Sequence, residues 1–154
     1  MKFFVWLASV IGVEAVGGLS SFFAGDIDEK YRAWEKPPLS PPGEVFGIVW
    51  AILYAMMGTS LFLIIQASAS QHEKHTAYIL FAIQLILNFV WSILFFGSEY
   101  FWLAIVVNFL LVIAIFFCIL QFFRINPVAA WLLIPYLVWC CFATYLAIGV
   151  VLKN

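Results

Sequence analysis

Apolar positions along the 154-residue chain gather into five long runs, 3–24, 45–67, 77–97, 100–123 and 128–152, parted by short polar breaks. A bilayer core about 30 Å thick takes about 20 mostly apolar residues per helix, so each run is long enough to cross. The pattern predicts an all-α integral membrane protein, a five-transmembrane-helix bundle forming a single membrane domain over residues 1–154. Little chain is left for a separate soluble domain. The first run follows Lys2, as a secretory signal would, but it is too long for a signal core, holds Glu14, and ends Phe22-Phe23-Ala24 without a small residue three before a cut. It is expected to stay in the protein.

Only one connection is long, residues 25–43, which carries seven charged side chains and then "KPPLSPP". Each proline fixes its own φ and pushes the residue before it toward extended geometry. The segment is therefore expected to act as a semi-rigid, polyproline-like strut and to lie over the bundle as a lid. The other breaks, "SASQHEKHT", "GSEY" and "RINP", are short and force successive spans to run antiparallel. Asn126-Pro127 reads as an N-cap followed by proline at the first helical position. Pro135 falls inside the fifth span, where it removes a hydrogen bond and strains the turn around Trp131, so a kink is expected there.

Rise per residue turns position into depth. Of the seven tryptophans, Trp6, Trp102 and Trp131 fall near span ends, where indoles form an interfacial belt, and Trp34 falls in the strut. Trp50 and Trp91 come out about two turns below the surface that carries the long loop, and Trp139 about 17 Å from its span start, near the midplane. On the third span Gln84, Asn88, Trp91, Ser92 and Phe95 share one helical face. On the fifth, Pro135, Trp139, Phe142 and Ala143 share a stripe flanked by Tyr136, and on the second Trp50 and Tyr54 are one turn apart. These aromatics and one amide predict a cavity opening under the strut. Interhelical glue is the blander reading of Gln84 and Asn88, and both readings stand at this point.

Glu14 is the one carboxylate well inside a span, at a cost of about 2.5–3.5 kcal/mol if charged, so it is expected to face the interior, pair, or be protonated. A neutral structural acid and a proton or ligand role both fit. Ala8-x-x-x-Gly12 and Gly17-x-x-x-Ser21 permit close helix contact. The composition, 66% hydrophobic and 10% charged with a net charge of −1, fits a membrane protein and offers no basic block for nucleic acid. Cys118, Cys140 and Cys141 read as small apolar groups, not a disulfide framework. His72 and His75 flank Glu73-Lys74, but zinc usually takes three or four protein ligands, so no metal site is assigned. No phosphate-binding loop, dinucleotide fingerprint or hydrolase triad is present. Lysine and arginine in the loops divide three against four between the two faces, which leaves orientation open.

Four motifs, "KPPLSPP", "FGIVW" with "LYAMMG", "QLILNFVWSILFF" and "AAWLLIPYLVWCCFATYLA", resemble the tryptophan-rich sensory protein and translocator protein family, also called the peripheral benzodiazepine receptor family. The resemblance runs from Tyr31 to Ala147 in order and spacing. It implies a five-helix bundle, commonly homodimeric, that binds porphyrins and, in some members, sterols and synthetic isoquinoline-type or benzodiazepine-type ligands. Carried over residue by residue, the implied ligand-binding set is Tyr31, Pro42, Trp50, Tyr54, Asn88, Trp91, Trp139 and Ala143. Departures are Lys30 where tryptophan is usual, Trp34 where leucine is common, and Ala147 for a frequent asparagine. The sterol pattern of the last helix is not met, because Lys153 is eight residues beyond Tyr145.

Three functions follow as expectations. The first is a membrane receptor or translocator for porphyrin or haem, taken up as ligand with no resident cofactor required. With no histidine in the helices as axial ligand, stacking is expected to hold an iron porphyrin, with at most a weak part for Cys140 or Cys141. The second, suggested by the resemblance, is an enzyme that degrades porphyrin under light, with Trp50 and Trp139 as the oxidisable rings. The third is an interaction scaffold without a small ligand. Chain length and the lack of a targeting extension put the expected location at a bacterial cell membrane.

Overall fold

A computed structural model describes all 154 residues. Helix α1 spans Lys2–Ala24, α2 Ile27–Ala33, α3 Gly43–Gln66, α4 Gln71–Ser92, α5 Phe101–Ile125 and α6 Pro127–Lys153; a π-helical turn, Ile93–Gly97, continues α4. No strand is present, and five helices are long and apolar enough to cross a membrane, α4 doing so together with its π turn. The chain is thus a multi-pass integral membrane protein. All five hydropathy runs are helical, with ends within two residues of those expected except at one start. The third span begins at Gln71, not 77, because Ser70 and Glu73 form a capping box: the Ser70 hydroxyl accepts from Glu73 N at 3.2 Å and the Glu73 carboxylate accepts from Ser70 N at 3.4 Å. The expected strut also contains α2, two turns capped by the Asp26 side chain, which accepts from Glu29 N at 3.0 Å.

Asn126 caps α6 as expected, accepting from Val128 N at 2.9 Å and Ala129 N at 3.4 Å, and α6 runs on through Pro135, whose ring is exposed. Around the bundle the spans close a ring in the order α1, α3, α6, α5, α4. Chain order is therefore not spatial order: α3 and α4 are joined by residues 67–70 and run antiparallel, yet each packs its backbone mainly against other spans.

Lipid tails are as apolar as leucine, so apolar helix faces gain little by meeting and polar bonds with close backbone approach do the fastening. Trp6 Nε1 donates to Thr59 Oγ1 at 3.0 Å between α1 and α3, and Ser20 Oγ to the Phe89 carbonyl at 3.2 Å between α1 and α4. The Ser60 hydroxyl donates to the Ala129 carbonyl at 2.7 Å between α3 and α6, and the Asn108 amide to the Cys140 carbonyl at 3.1 Å between α5 and α6. Apolar side chains fill the rest; Phe81 and Phe122, for example, stack at 6.2 Å between α4 and α5. Cys118 and Cys140 are buried, Cys141 faces outward, and all three are free thiols.

A close backbone approach occurs at Gly58, where an added Cβ would lie 2.5 Å from Val10 Cα and 3.0 Å from the Ser9 carbonyl oxygen. Gly58→Val is expected to force α1 and α3 apart and cost about 1–3 kcal/mol, the usual range for overpacking. Gly12→Val, on the same helix pair but with nothing within 4 Å of its Cβ position, is the control and should change little. Thermal unfolding in detergent compares the two.

Candidate functional site

The lid is fastened at many points. Lys30 Nζ donates to the carbonyls of Phe96 at 2.7 Å, Gly97 at 3.1 Å and Ala24 at 3.4 Å, so one ammonium caps the ends of both α1 and the π turn. A cation at helix C-termini is favourable in itself. The Tyr31 hydroxyl donates to the Pro41 carbonyl at 2.6 Å, the Lys36 ammonium to the Tyr31 and Trp34 carbonyls at 2.8 and 2.7 Å, and the Tyr145 hydroxyl to the Pro38 carbonyl at 2.7 Å. The proline stretch is not a straight rod. It turns at Leu39, whose φ of 69° lies in the left-handed region, and Ser40 Oγ closes the turn on the Pro37 carbonyl at 2.6 Å. Pro37 itself is seated against Gly149 of α6, where any Cβ would overlap its ring.

Beneath the lid lies a cavity of about 450 Å³. Its α3 wall carries Phe46, Trp50 and Tyr54, and its α4 wall Asn88, Trp91 and, in the π turn, Phe96. Helix α1 closes a third side with Glu14, Gly17, Gly18 and Ser21, while Ile27, Asp28 and Glu44 stand at the lid end. Trp50 stacks on Tyr54 with centroids 5.4 Å apart and 27° between planes, and Trp91 tilts against Trp50 at 6.2 Å. Gly17 has no side chain because Tyr54 lies where its Cβ would be.

A directed hydrogen-bond chain forms the cavity's inner end. The Tyr54 hydroxyl donates to Asn88 Oδ1 at 2.8 Å, Asn88 Nδ2 donates to the Tyr136 hydroxyl at 2.9 Å, and that hydroxyl donates to Gln84 Oε1 at 2.7 Å. Asn88 is thus glue and wall together, and Gln84 is glue. Glu14 takes part in neither of the chain's two salt bridges, which join Arg32 to Asp28 at 2.8 Å and to Glu44 at 3.8 Å.

Of the eight residues assigned from sequence, Trp50, Tyr54, Asn88 and Trp91 stand together in the cavity wall, whereas Tyr31, Pro42, Trp139 and Ala143 do not line it. Phe46 is the reason. Its ring lies edge-on to Tyr31 at 4.8 Å and to Trp139 at 5.7 Å, filling the space expected to be open between α3 and α6. Tyr31 and Ala143 are buried in the aromatic cluster behind it, and Pro42 is the exposed N-cap of α3. The indole nitrogens of Trp91 and Trp139 are buried without a partner. The wall from α1 was missed, although Glu14, Gly17, Gly18 and Ser21 follow the i, i+3, i+4, i+7 rhythm of one face.

Residues 7–152 match the TspO/MBR family. Over 124 residues, 80% of this chain and 78% of that protein, the sequence is 40% identical to the Tryptophan-rich protein TspO of Chlorobaculum tepidum. It is 36% identical over 149 residues to the protein of the same name from Archaeoglobus fulgidus, covering 96% of this chain and 95% of that one. With the Translocator protein of Homo sapiens it shares 34% identity over 128 residues, 82% of this chain and 76% of that protein.

Lys30→Met removes the charge and all three carbonyl contacts while keeping the stem. Hydrogen bonds to a charged group contribute about 1.5–3 kcal/mol, so amide exchange across residues 26–33 should quicken at least about tenfold with the spans intact. Burial raises the Tyr31 phenol above its ordinary value, and only the neutral form donates to Pro41. Its contribution is complete below the unfolded value of about 10 and is lost as pH rises through the raised folded one. Tyr31→Phe should abolish that alkaline loosening of the lid in exchange measurements, at about 1 kcal/mol in neutral solution.

Proposed function

The chain belongs to the TspO/MBR family, and from that premise we propose that its cavity binds tetrapyrroles, porphyrin or haem, as a membrane receptor or translocator. The observation that carries this reading is the aromatic wall of Trp50, Tyr54 and Trp91 around about 450 Å³ beneath the lid. Small-molecule pockets fall at about 300–1,000 Å³ and are mostly apolar with a few directing polar groups. A flat macrocycle suits such a wall because ring–ring contacts contribute about 0.5–1.5 kcal/mol beyond area burial. No histidine lines the cavity, so an iron porphyrin would be held by stacking. Flat synthetic isoquinolines share the same shape logic.

Light-dependent porphyrin degradation is the second reading, favoured by the position of Trp50. An indole in contact with an excited macrocycle can give up an electron or hydrogen atom, and Trp91 follows at 6.2 Å as a further oxidisable ring. Trp139, behind Phe46, would act only at one remove.

Titrating the purified protein with protoporphyrin, in darkness and under light, tests both. A saturable Soret shift with tryptophan quenching is expected in darkness, weakened about threefold to tenfold by Trp50→Ala and changed less than about twofold by Trp139→Phe. Absence of any saturable shift would refute the binding reading. Loss of porphyrin absorbance in light alone, slowed by Trp50→Phe, would establish degradation; stable absorbance would exclude it.

A further inference from the structure

We propose that the cavity is charge-selective: it takes a planar apolar ligand whose buried edge carries a cationic or N–H-donating group, and Glu14 is the residue that selects it. This deepens the tetrapyrrole reading and rests on it. Three carboxyl side chains line the cavity, Glu14, Asp28 and Glu44; no lysine, arginine or histidine reaches the wall. The two at the lid end are partly neutralised by Arg32, at 2.8 Å from Asp28 and 3.8 Å from Glu44. Glu14 has no such counter-ion. It sits on α1 among Gly17, Gly18 and Ser21, which offer backbone and one hydroxyl but no charge.

An unpaired carboxylate at membrane depth is costly, and the cost falls away when a donor or cation arrives. Screening by salt is weak there, so the preference is stronger than it would be on a wet surface. The α3 wall does not oppose that sign, because Trp50 and Tyr54 are aromatic rings, a type of surface that attracts cations. Trp91 closes the α4 side of the same wall and is 3% exposed, so it contributes ring surface and no charge. The wall therefore lacks a donor or cation at Glu14, and a nitrogen heterocycle or an ammonium group provides one. A ligand carboxylate at the buried edge would meet Glu14 with no cation between them, so one of the two would have to stay protonated. Protoporphyrin is then expected to lie with its propionates at the lid end and its carboxylate-free edge inward.

The test uses one macrocycle in three charge states: protoporphyrin, its dimethyl ester, and its bis-amide with terminal ammonium groups. Each is titrated in the dark against the full-length protein, Glu14→Gln and Glu14→Asp. The expected order is ammonium, then ester, then acid, with at least about tenfold between the extremes, equivalent to about 1.4 kcal/mol. Glu14→Gln should collapse the spread to less than about threefold, and Glu14→Asp should restore it. Equal affinities, a preference for the diacid, or a spread that Glu14→Gln leaves unchanged would each overturn the proposal while leaving tetrapyrrole binding intact. Failure of all three porphyrins to bind would instead remove the reading beneath it. Should Glu14→Gln not fold, the order on the unmodified protein and on Glu14→Asp still decides.

Discussion

In hydrocarbon, an unpaired polar group has no water to turn to, and this single constraint organises the bundle around Asn88. Its amide accepts from Tyr54 of α3 and donates to Tyr136 of α6, which in turn donates to Gln84, so three helices share one directed chain of bonds. Each partner is placed by the need of the next. The remaining seams repeat the device on a smaller scale, with Ser20, Ser60, Asn108 and Trp6 each reaching across one interface. Where no side chain could reach, Gly58 lets two backbones touch.

The lid obeys different rules because it meets water. Its contacts are charge-assisted and turn-forming, with Lys30, Lys36 and Tyr31 all directed at backbone carbonyls. The cavity sits where these two regimes join, bounded by aromatic side chains on two sides and by the small residues of α1 on the third. That boundary explains why aromatic and acidic groups occur side by side there, since stacking surface comes from the spans and the two outer carboxylates come from the lid and the start of α3.

Hydropathy made the five spans legible, since twenty apolar residues in a row have few other uses. Polar starts were harder. The first turns of α4, "QHEKH", read as a loop by composition, although Ser70-x-x-Glu73 carried a capping signal. Asp26-x-x-Glu29 announced α2 in the same way. Within the site, Trp50, Tyr54, Asn88 and Trp91 were found because depth and helical phase can be read from one chain. Phe46 was overlooked because its effect depends on which helices are neighbours, and the ring order α1, α3, α6, α5, α4 is not written in any local pattern. Glycine and serine on α1 give no hydropathy signal at all; only their shared phase with Glu14 marked that face.

The two ends of the bundle are joined unequally. On the side away from the lid, α5 passes to α6 through Asn126 alone and α3 to α4 through four residues, and the Tyr54–Asn88–Tyr136–Gln84 chain closes the cavity's inner end. The cavity's floor is consequently made of side-chain hydrogen bonds, while its α1 and α3 walls carry the exposed residues Gly18, Ser21, Gly47 and Ala51. Passage through that floor would require three buried hydrogen bonds to part, so the bonds that tie α3, α4 and α6 together are the same ones that shut the cavity's base.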